Sequence, residues 1–140
     1  MTTHAKSTLV TRAAAIARAA HAGQFRRNGT TPYIVHPEAV ASRVSGDEIA
    51  EAAAWLHDVL EDTDTTVAQL RAQEMPEEVI TCVVTLTKKG EVAYERYLAE
   101  IKSHPVAKKV KIADMLANLS DHPTDRQIVK YAKGLLVLMA

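Results

Sequence analysis

Trp55-Leu56-His57-Asp58-Val59-Leu60-Glu61-Asp62-Thr63 brings one histidine and three carboxylates to the end of an apolar helix. The residues leading into it, Ile49, Ala50, Ala52, Ala53 and Ala54, are apolar on every side, so the acidic end is carried toward the protein interior. Side chains three and four apart share a helix face, and a helix continuing to Glu61 stacks His57 over Glu61 and Asp58 over Asp62. Carboxylates brought together in a desolvated place repel one another and are costly to bury unless a cation lies between them. The stretch therefore reads as half of a metal site with acid/base groups beside it.

Working outward, the chain of 140 residues is long enough to bury one core without disulfides or a structural metal. Its 17 basic and 17 acidic residues cancel, so no overall field points to nucleic acid or an anionic membrane surface. The single cysteine, Cys82, lies in Val79-Ile80-Thr81-Cys82-Val83-Val84 and reads as a small buried apolar residue. One cysteine excludes an internal disulfide and fits a reducing cytoplasm. Met1-Thr2-Thr3-His4-Ala5-Lys6 leads into an amphipathic segment, from which no signal peptide is expected. No apolar run approaches the roughly 20 residues needed to span a bilayer.

Helix signals fill the rest of the chain. Leu9, Val10, Ala13, Ala14, Ala17 and Ala20 recur at helical spacing, with Gly23 as a stop. A loop rich in Gly, Asn and Pro follows, and Pro37 suits the first turn of a short helix to about Val44. Asp47 is expected to cap the helix that runs to roughly Glu61. Thr65 or Thr66 caps a short helix ending near Gln73, and Pro76 opens another that Lys88-Lys89-Gly90 breaks. Helices over about 91–103 and 105–119 and a last one capped by Thr124 complete an all-α, single-domain chain with no convincing strand.

The implied site needs ligands from elsewhere, because His57 and Asp58 as neighbours on a helix point about 100° apart. Two polar residues stand in apolar surroundings: His36 in Pro32-Tyr33-Ile34-Val35-His36-Pro37, and Asp114 in Val110-Lys111-Ile112-Ala113-Asp114-Met115. Taken alone, each would be an ordinary loop histidine or surface ion-pair partner; with the His57-Asp58 pair as anchor, they complete a set. Two imidazoles and two carboxylates suit an octahedral Mn²⁺ or Fe²⁺ with open water positions better than a closed zinc site. Asn118 shares a face with Asp114, and Lys111 lies one turn before it. Gln24, Arg26, Arg27 and Tyr33 precede His36, where arginines can hold phosphate and a tyrosine can stack on a base. His4, His21, His104 and His122 are expected to be surface or packing residues. The absence of a glycine-rich phosphate loop and of a nucleophile elbow leaves phosphate handling to a metal and arginines.

The order and spacing of Pro32-Tyr33-Ile34-Val35-His36-Pro37, Leu56-His57-Asp58-Val59-Leu60-Glu61-Asp62-Thr63 and Lys111-Ile112-Ala113-Asp114 resemble the HD superfamily of metal-dependent phosphohydrolases. More narrowly, they are similar to the hydrolase domain of RelA/SpoT-type enzymes and the free-standing small alarmone hydrolases. His21-Ala22-Gly23-Gln24, Arg26-Arg27-Asn28-Gly29 and Leu86-Thr87 extend the resemblance over nearly the whole chain. It implies an HD-domain helical fold, metal ligands at His36, His57, Asp58 and Asp114, and a catalytic acidic pair at Glu61 and Asp62. It implies contacts to the base and ribose at Arg27, Tyr33 and Asn118. The implied reaction is Mn²⁺-dependent removal of pyrophosphate from the 3′ position of guanosine 3′,5′-bispyrophosphate (ppGpp). Other phosphorylated nucleotides or metabolites, or a binding module without turnover, are the alternatives. Met115 stands where the resemblance implies arginine or lysine, and Asp121-His122-Pro123 where it implies a more basic continuation.

Overall fold

The computed structural model describes residues 7–140, so His4 and the reading of residues 1–6 lie outside the described residues. Among these the chain forms nine helices: α1 (Thr8–Ala20), α2 (Val35–Arg43), α3 (Glu48–Leu56), α4 (Val59–Asp62), α5 (Val67–Ala72), α6 (Glu77–Leu86), α7 (Tyr94–Lys102), α8 (Pro105–Leu119) and α9 (Asp125–Met139). The expected caps are in place. Asp47 accepts from the Ala50 amide, Thr66 and Thr124 form capping boxes with Gln69 and Gln127, and Pro76 precedes α6. Pairing of Phe25 with Pro32 in one antiparallel bridge closes the loop between α1 and α2.

The apolar run before His57 becomes the central helix. Ala50, Ala52, Ala53, Ala54 and Leu56 of α3 are fully buried, and α1, α2, α6 and α8 pack around them. Apart from Glu48 and Glu51 the helix is apolar, which keeps it in the interior, and alanine lets neighbouring helices approach closely. Cys82 lies in this core as expected, and burial pushes its thiol up to about 12, which leaves it unreactive. No helix among the described residues is long and apolar enough to cross a membrane.

One expected element is different. The helix opened by Asp47 ends at Leu56 instead of continuing to Glu61, and α4 starts afresh at Val59. The His57 ring causes the break. Its Nδ1 donates to the Ala54 carbonyl at 2.6 Å, and the His57 amide reaches that same oxygen at 3.4 Å. An uninterrupted helix would give this carbonyl to the Asp58 amide. Asp58 instead takes φ −104° and ψ 0°, the sparsely allowed bridge conformation common at functional sites. The single face expected to stack His57 over Glu61 is thus interrupted by a corner, and His57 and Asp58 form that corner. A smaller difference is that α7 begins at Tyr94, after a turn in which the Val92 amide bonds the Lys89 carbonyl at 3.1 Å.

Candidate metal and phosphohydrolase site

Three polar side chains from α2, the α3–α4 corner and α8 converge at one point, with Asp58 beside His57. His36, His57 and Asp114 are all buried, and one ligand atom from each lies within 4.8 Å of the others. His36 Nε2 is 2.8 Å from Asp114 Oδ1. His57 Nε2 is 3.1 Å from Asp58 Oδ2 and 3.4 Å from Asp114 Oδ1, yet it aligns with neither as a hydrogen-bond donor. The Ala54 carbonyl can only accept, so His57 Nδ1 carries a hydrogen, and in the neutral ring Nε2 is a bare lone pair. A bare nitrogen facing two carboxylate oxygens in a dry pocket is repulsive unless a proton or a cation occupies the space. This orphaned atom and its N/O neighbours fit a divalent cation such as Mn²⁺ or Fe²⁺.

A second ring of contacts fixes the orientation of these groups. Asp58 Oδ2 accepts from the Tyr33 hydroxyl, and burial followed by the Asp58 charge pushes the phenol far above its ordinary value, so it remains a donor. Asp114 Oδ2 takes the Lys111 ammonium at 3.0 Å, and Asn118 Nδ2 bonds Asp114 Oδ1 at 3.2 Å. Burial works against the charge on both Asp114 and Lys111, but Lys111 with His57 and His36 together hold the Asp114 carboxyl well below its usual value, and Asp114 with the neighbouring tyrosines holds the ammonium well above. Such supports set ligand orientation and are worth roughly 10–100-fold in metal affinity.

Glu61 and Asp62 are exposed on α4, one turn beyond Asp58. Glu61 Oε1 accepts the Lys88 amide at 3.1 Å. Burial, then the charges of Asp58 and Glu61, raise the Asp62 carboxyl above its ordinary value. That places one carboxylate and one more readily protonated acid beside the cluster.

On the loop side the structure separates two neighbouring arginines. Arg26 stacks on the Tyr33 ring at 5.7 Å and reaches Asn118 Oδ1 at 3.4 Å and Asp121 Oδ2 at 3.1 Å. Arg27 turns outward and bonds Gln127 Oε1 of α9 at 2.9 Å. A pocket of about 410 Å³ is lined by both arginines together with Asn28, Asp121, His122 and Thr124. Of the candidate base contacts, Tyr33 and Asn118 therefore lie against the cluster, and Arg27 faces α9 instead. His21, part of the His21-Ala22-Gly23-Gln24 match but expected only as a surface or packing residue, is buried beside the site. Gln24 Nε2 donates to the Asp62 carbonyl at 2.9 Å, so its Oε1 faces His21 Nδ1 at 2.8 Å, and the His21 ring packs on Tyr33. His21 thus supports both the tyrosine that holds Asp58 and the glutamine that holds α4.

The cluster has a pH signature when no metal is bound. Burial alone would lower the His57 pKa, but the charges of Asp58 and Asp114 outweigh it and hold it well above the ordinary 6.5. A raised pKa contributes stability that is complete below 6.5 and is lost as pH rises through the folded-state value. Burial also opposes the Asp58 charge, but His57 prevails and lowers it to about 2, a contribution present above 3.8 and lost on acidification. The melting temperature of chelator-treated protein is therefore expected to peak between 3.8 and 6.5 and to fall on the alkaline side. Thermal melts across pH check this; a flat alkaline limb would mean that His57 is neutral in the metal-free protein.

A helical fold around a buried His/Asp corner is the pattern of an HD-type metallohydrolase, and the HD-domain family matches residues 13–121. The chain belongs to the HD-domain family. It is 37% identical over 132 residues to a probable guanosine-3′,5′-bis(diphosphate) 3′-pyrophosphohydrolase of Synechocystis, covering 84% of this chain and 17% of that one. Human guanosine-3′,5′-bis(diphosphate) 3′-pyrophosphohydrolase MESH1 is 38% identical over 123 residues, covering 78% of this chain and 66% of that protein. Among solved structures, one described as a metazoan ortholog of SpoT that hydrolyzes ppGpp superposes with a TM-score of 0.82 at 27% identity, covering 98% of this chain and 88% of the other. The chain spans only 17%, 9% and 13% of the length of three curated bacterial relatives.

Proposed function

We propose that the 140 residues act as one hydrolase unit that removes the 3′-pyrophosphate of ppGpp with a divalent metal, Mn²⁺, held by His36, His57, Asp58 and Asp114. The observation that carries the metal part is the buried, unpartnered His57 Nε2 between two carboxylates. The substrate is supported by the printed activities of the relatives and by the likeness to the ppGpp-hydrolysing structure.

When bound, the ion would acidify a water molecule and polarise phosphoryl oxygens. The chain's own groups supply the rest. Glu61, with one oxygen tied to the Lys88 amide, uses the other to take the proton of the attacking water. An O–P bond forms as the bond from phosphorus to the 3′ oxygen breaks. Asp62, with its raised pKa, delivers a proton to that leaving oxygen, and GDP and pyrophosphate result. Arg26 and Asn118 hold phosphate or ribose oxygens beside the Tyr33 ring, with Arg27 facing α9.

A specific contact favours a second reading within the same chemistry. Asp121 occupies the Arg26 guanidinium at 3.1 Å, and the position after Asp114 is the buried, uncharged Met115. The Asp121 contact reduces positive charge beside Tyr33 and Asn118, and the fully buried Met115, packed against Gly134, offers none to a phosphate; both suit a different nucleotide. Incubation of Mn²⁺-loaded protein with ppGpp and a nucleotide panel distinguishes the two. Pyrophosphate release from ppGpp is expected; ppGpp surviving while another nucleotide is consumed would establish the second reading.

A further inference from the structure

Leu86-Thr87 of the sequence pattern has no place in the chemistry above, and the structure joins it to Lys111 through Tyr97. The Lys111 ammonium, 3.0 Å from Asp114 Oδ2, lies 5.4 Å from the centre of the Tyr97 ring, and its side chain is 15% exposed. The hydroxyl of Tyr97 is buried and donates to the Leu86 carbonyl at 2.5 Å. Leu86 is the last residue of α6, where carbonyls lack helical partners. One residue on, Thr87 Oγ1 donates to the Val83 carbonyl at 2.8 Å and fixes the turn. The next amide, Lys88 N–H, bonds Glu61 Oε1 at 3.1 Å. A continuous line of contacts therefore runs from Asp114 on α8, through Tyr97 on α7 and the end of α6, to Glu61 on α4.

We propose that Lys111 and Tyr97 are positioning residues that set the spacing between the two halves of the site: Lys111 fixes which Asp114 oxygen faces the histidines, and Tyr97 sets the 86–88 turn that holds Glu61. The role for Glu61 rests on the function proposed above. Lys111 neutralises one oxygen of Asp114, leaving Oδ1 for His36 and His57. Without the Tyr97 hydroxyl, the Leu86 carbonyl loses its partner and the adjacent turn loses its fixed direction. Phenylalanine at 97 keeps the ring under Lys111 and removes the hydroxyl's bond to the Leu86 carbonyl together with its interaction with the Lys111 ammonium.

The test uses Tyr97→Phe, Lys111→Met and Lys111→Arg in the full chain, with three readings on each folded variant. Amide hydrogen exchange at Lys88, followed by NMR without metal or substrate, is expected to quicken about 10-fold in Tyr97→Phe, the effect of losing one buried hydrogen bond. Its Mn²⁺ affinity is expected to stay within about twofold of the parent, with kcat on ppGpp lowered and KM unchanged. Calorimetry of Lys111→Met is expected to show Mn²⁺ affinity weakened about 10–100-fold, with Lys111→Arg recovering most of it. Unchanged Lys88 exchange in Tyr97→Phe, or undiminished Mn²⁺ affinity in Lys111→Met, overturns the proposal. Absence of ppGpp cleavage by the parent would defeat the proposed function, while Lys88 exchange would still decide the positioning role.

Discussion

Asp114→Ala is expected to cost this protein both its metal and a large part of its stability, whereas Asp58→Ala is expected to cost mainly the metal. Asp114 is buried and is the partner of the Lys111 ammonium, His36 Nε2 and the Asn118 amide. Removing it leaves a buried positive charge unpaired, which destabilises by about 3–5 kcal/mol. In a domain of this size that corresponds to a melting temperature lower by roughly 10 °C or more. The Asp58 side chain is 21% exposed and touches the Tyr33 hydroxyl and His57, which keeps Asp114 as a second carboxylate partner when Asp58 is lost. Its removal should cost about 1–3 kcal/mol, the penalty for leaving one buried donor unsatisfied. Both variants should fail to bind Mn²⁺ in calorimetry and to release pyrophosphate. Equal melting temperatures for the two would contradict the Lys111–Asp114 account, and retained metal in Asp58→Ala would remove Asp58 from the ligand set.

Glu61→Gln is expected to keep the metal and lose turnover. Glu61 lies outside the cluster of His36, His57 and Asp114, and its Oε1 accepts the Lys88 amide. Glutamine can offer its carbonyl oxygen to the same amide, so the turn keeps its anchor, but the side chain can no longer take a proton. Loss of a positioned general base lowers kcat by about 10²–10⁴. Calorimetry alongside steady-state kinetics reads the two effects separately. If metal binding disappears with turnover, Glu61 is a ligand; if turnover persists, Asp62 is the proton acceptor.

The cluster that these substitutions address was legible in outline because polar residues stood out against apolar surroundings. His36 and Asp114 could not be buried without compensation, and the structure does place them 2.8 Å apart. The division of labour between Arg26 and Arg27 was not legible. Neighbouring residues in an extended segment point to opposite sides, and the Phe25–Pro32 bridge, with the Arg26 amide on the Thr31 carbonyl at 2.8 Å, decides which arginine turns inward. His21 was hidden for a related reason: its importance comes from Tyr33 and Gln24, contacts created only when the loop folds back on α1.

By itself the sequence determined the helical architecture, the helix caps and the carriage of His57 and Asp58 into the interior, because periodicity and capping chemistry act over a few residues. It implied a straight helix to Glu61, since hydrophobic spacing cannot report a side chain competing with an amide for one carbonyl. Only the tertiary structure decided that the His57 ring takes the Ala54 oxygen, ends α3 and turns the acidic stretch into a corner. In that position its other nitrogen lies 3.1 Å from Asp58 and 3.4 Å from Asp114, the latter on a helix far away in the chain. The stretch from Trp55 to Thr63 supplied the residues; packing against α2 and α8 supplied the geometry that lets His57 and Asp58 face one point.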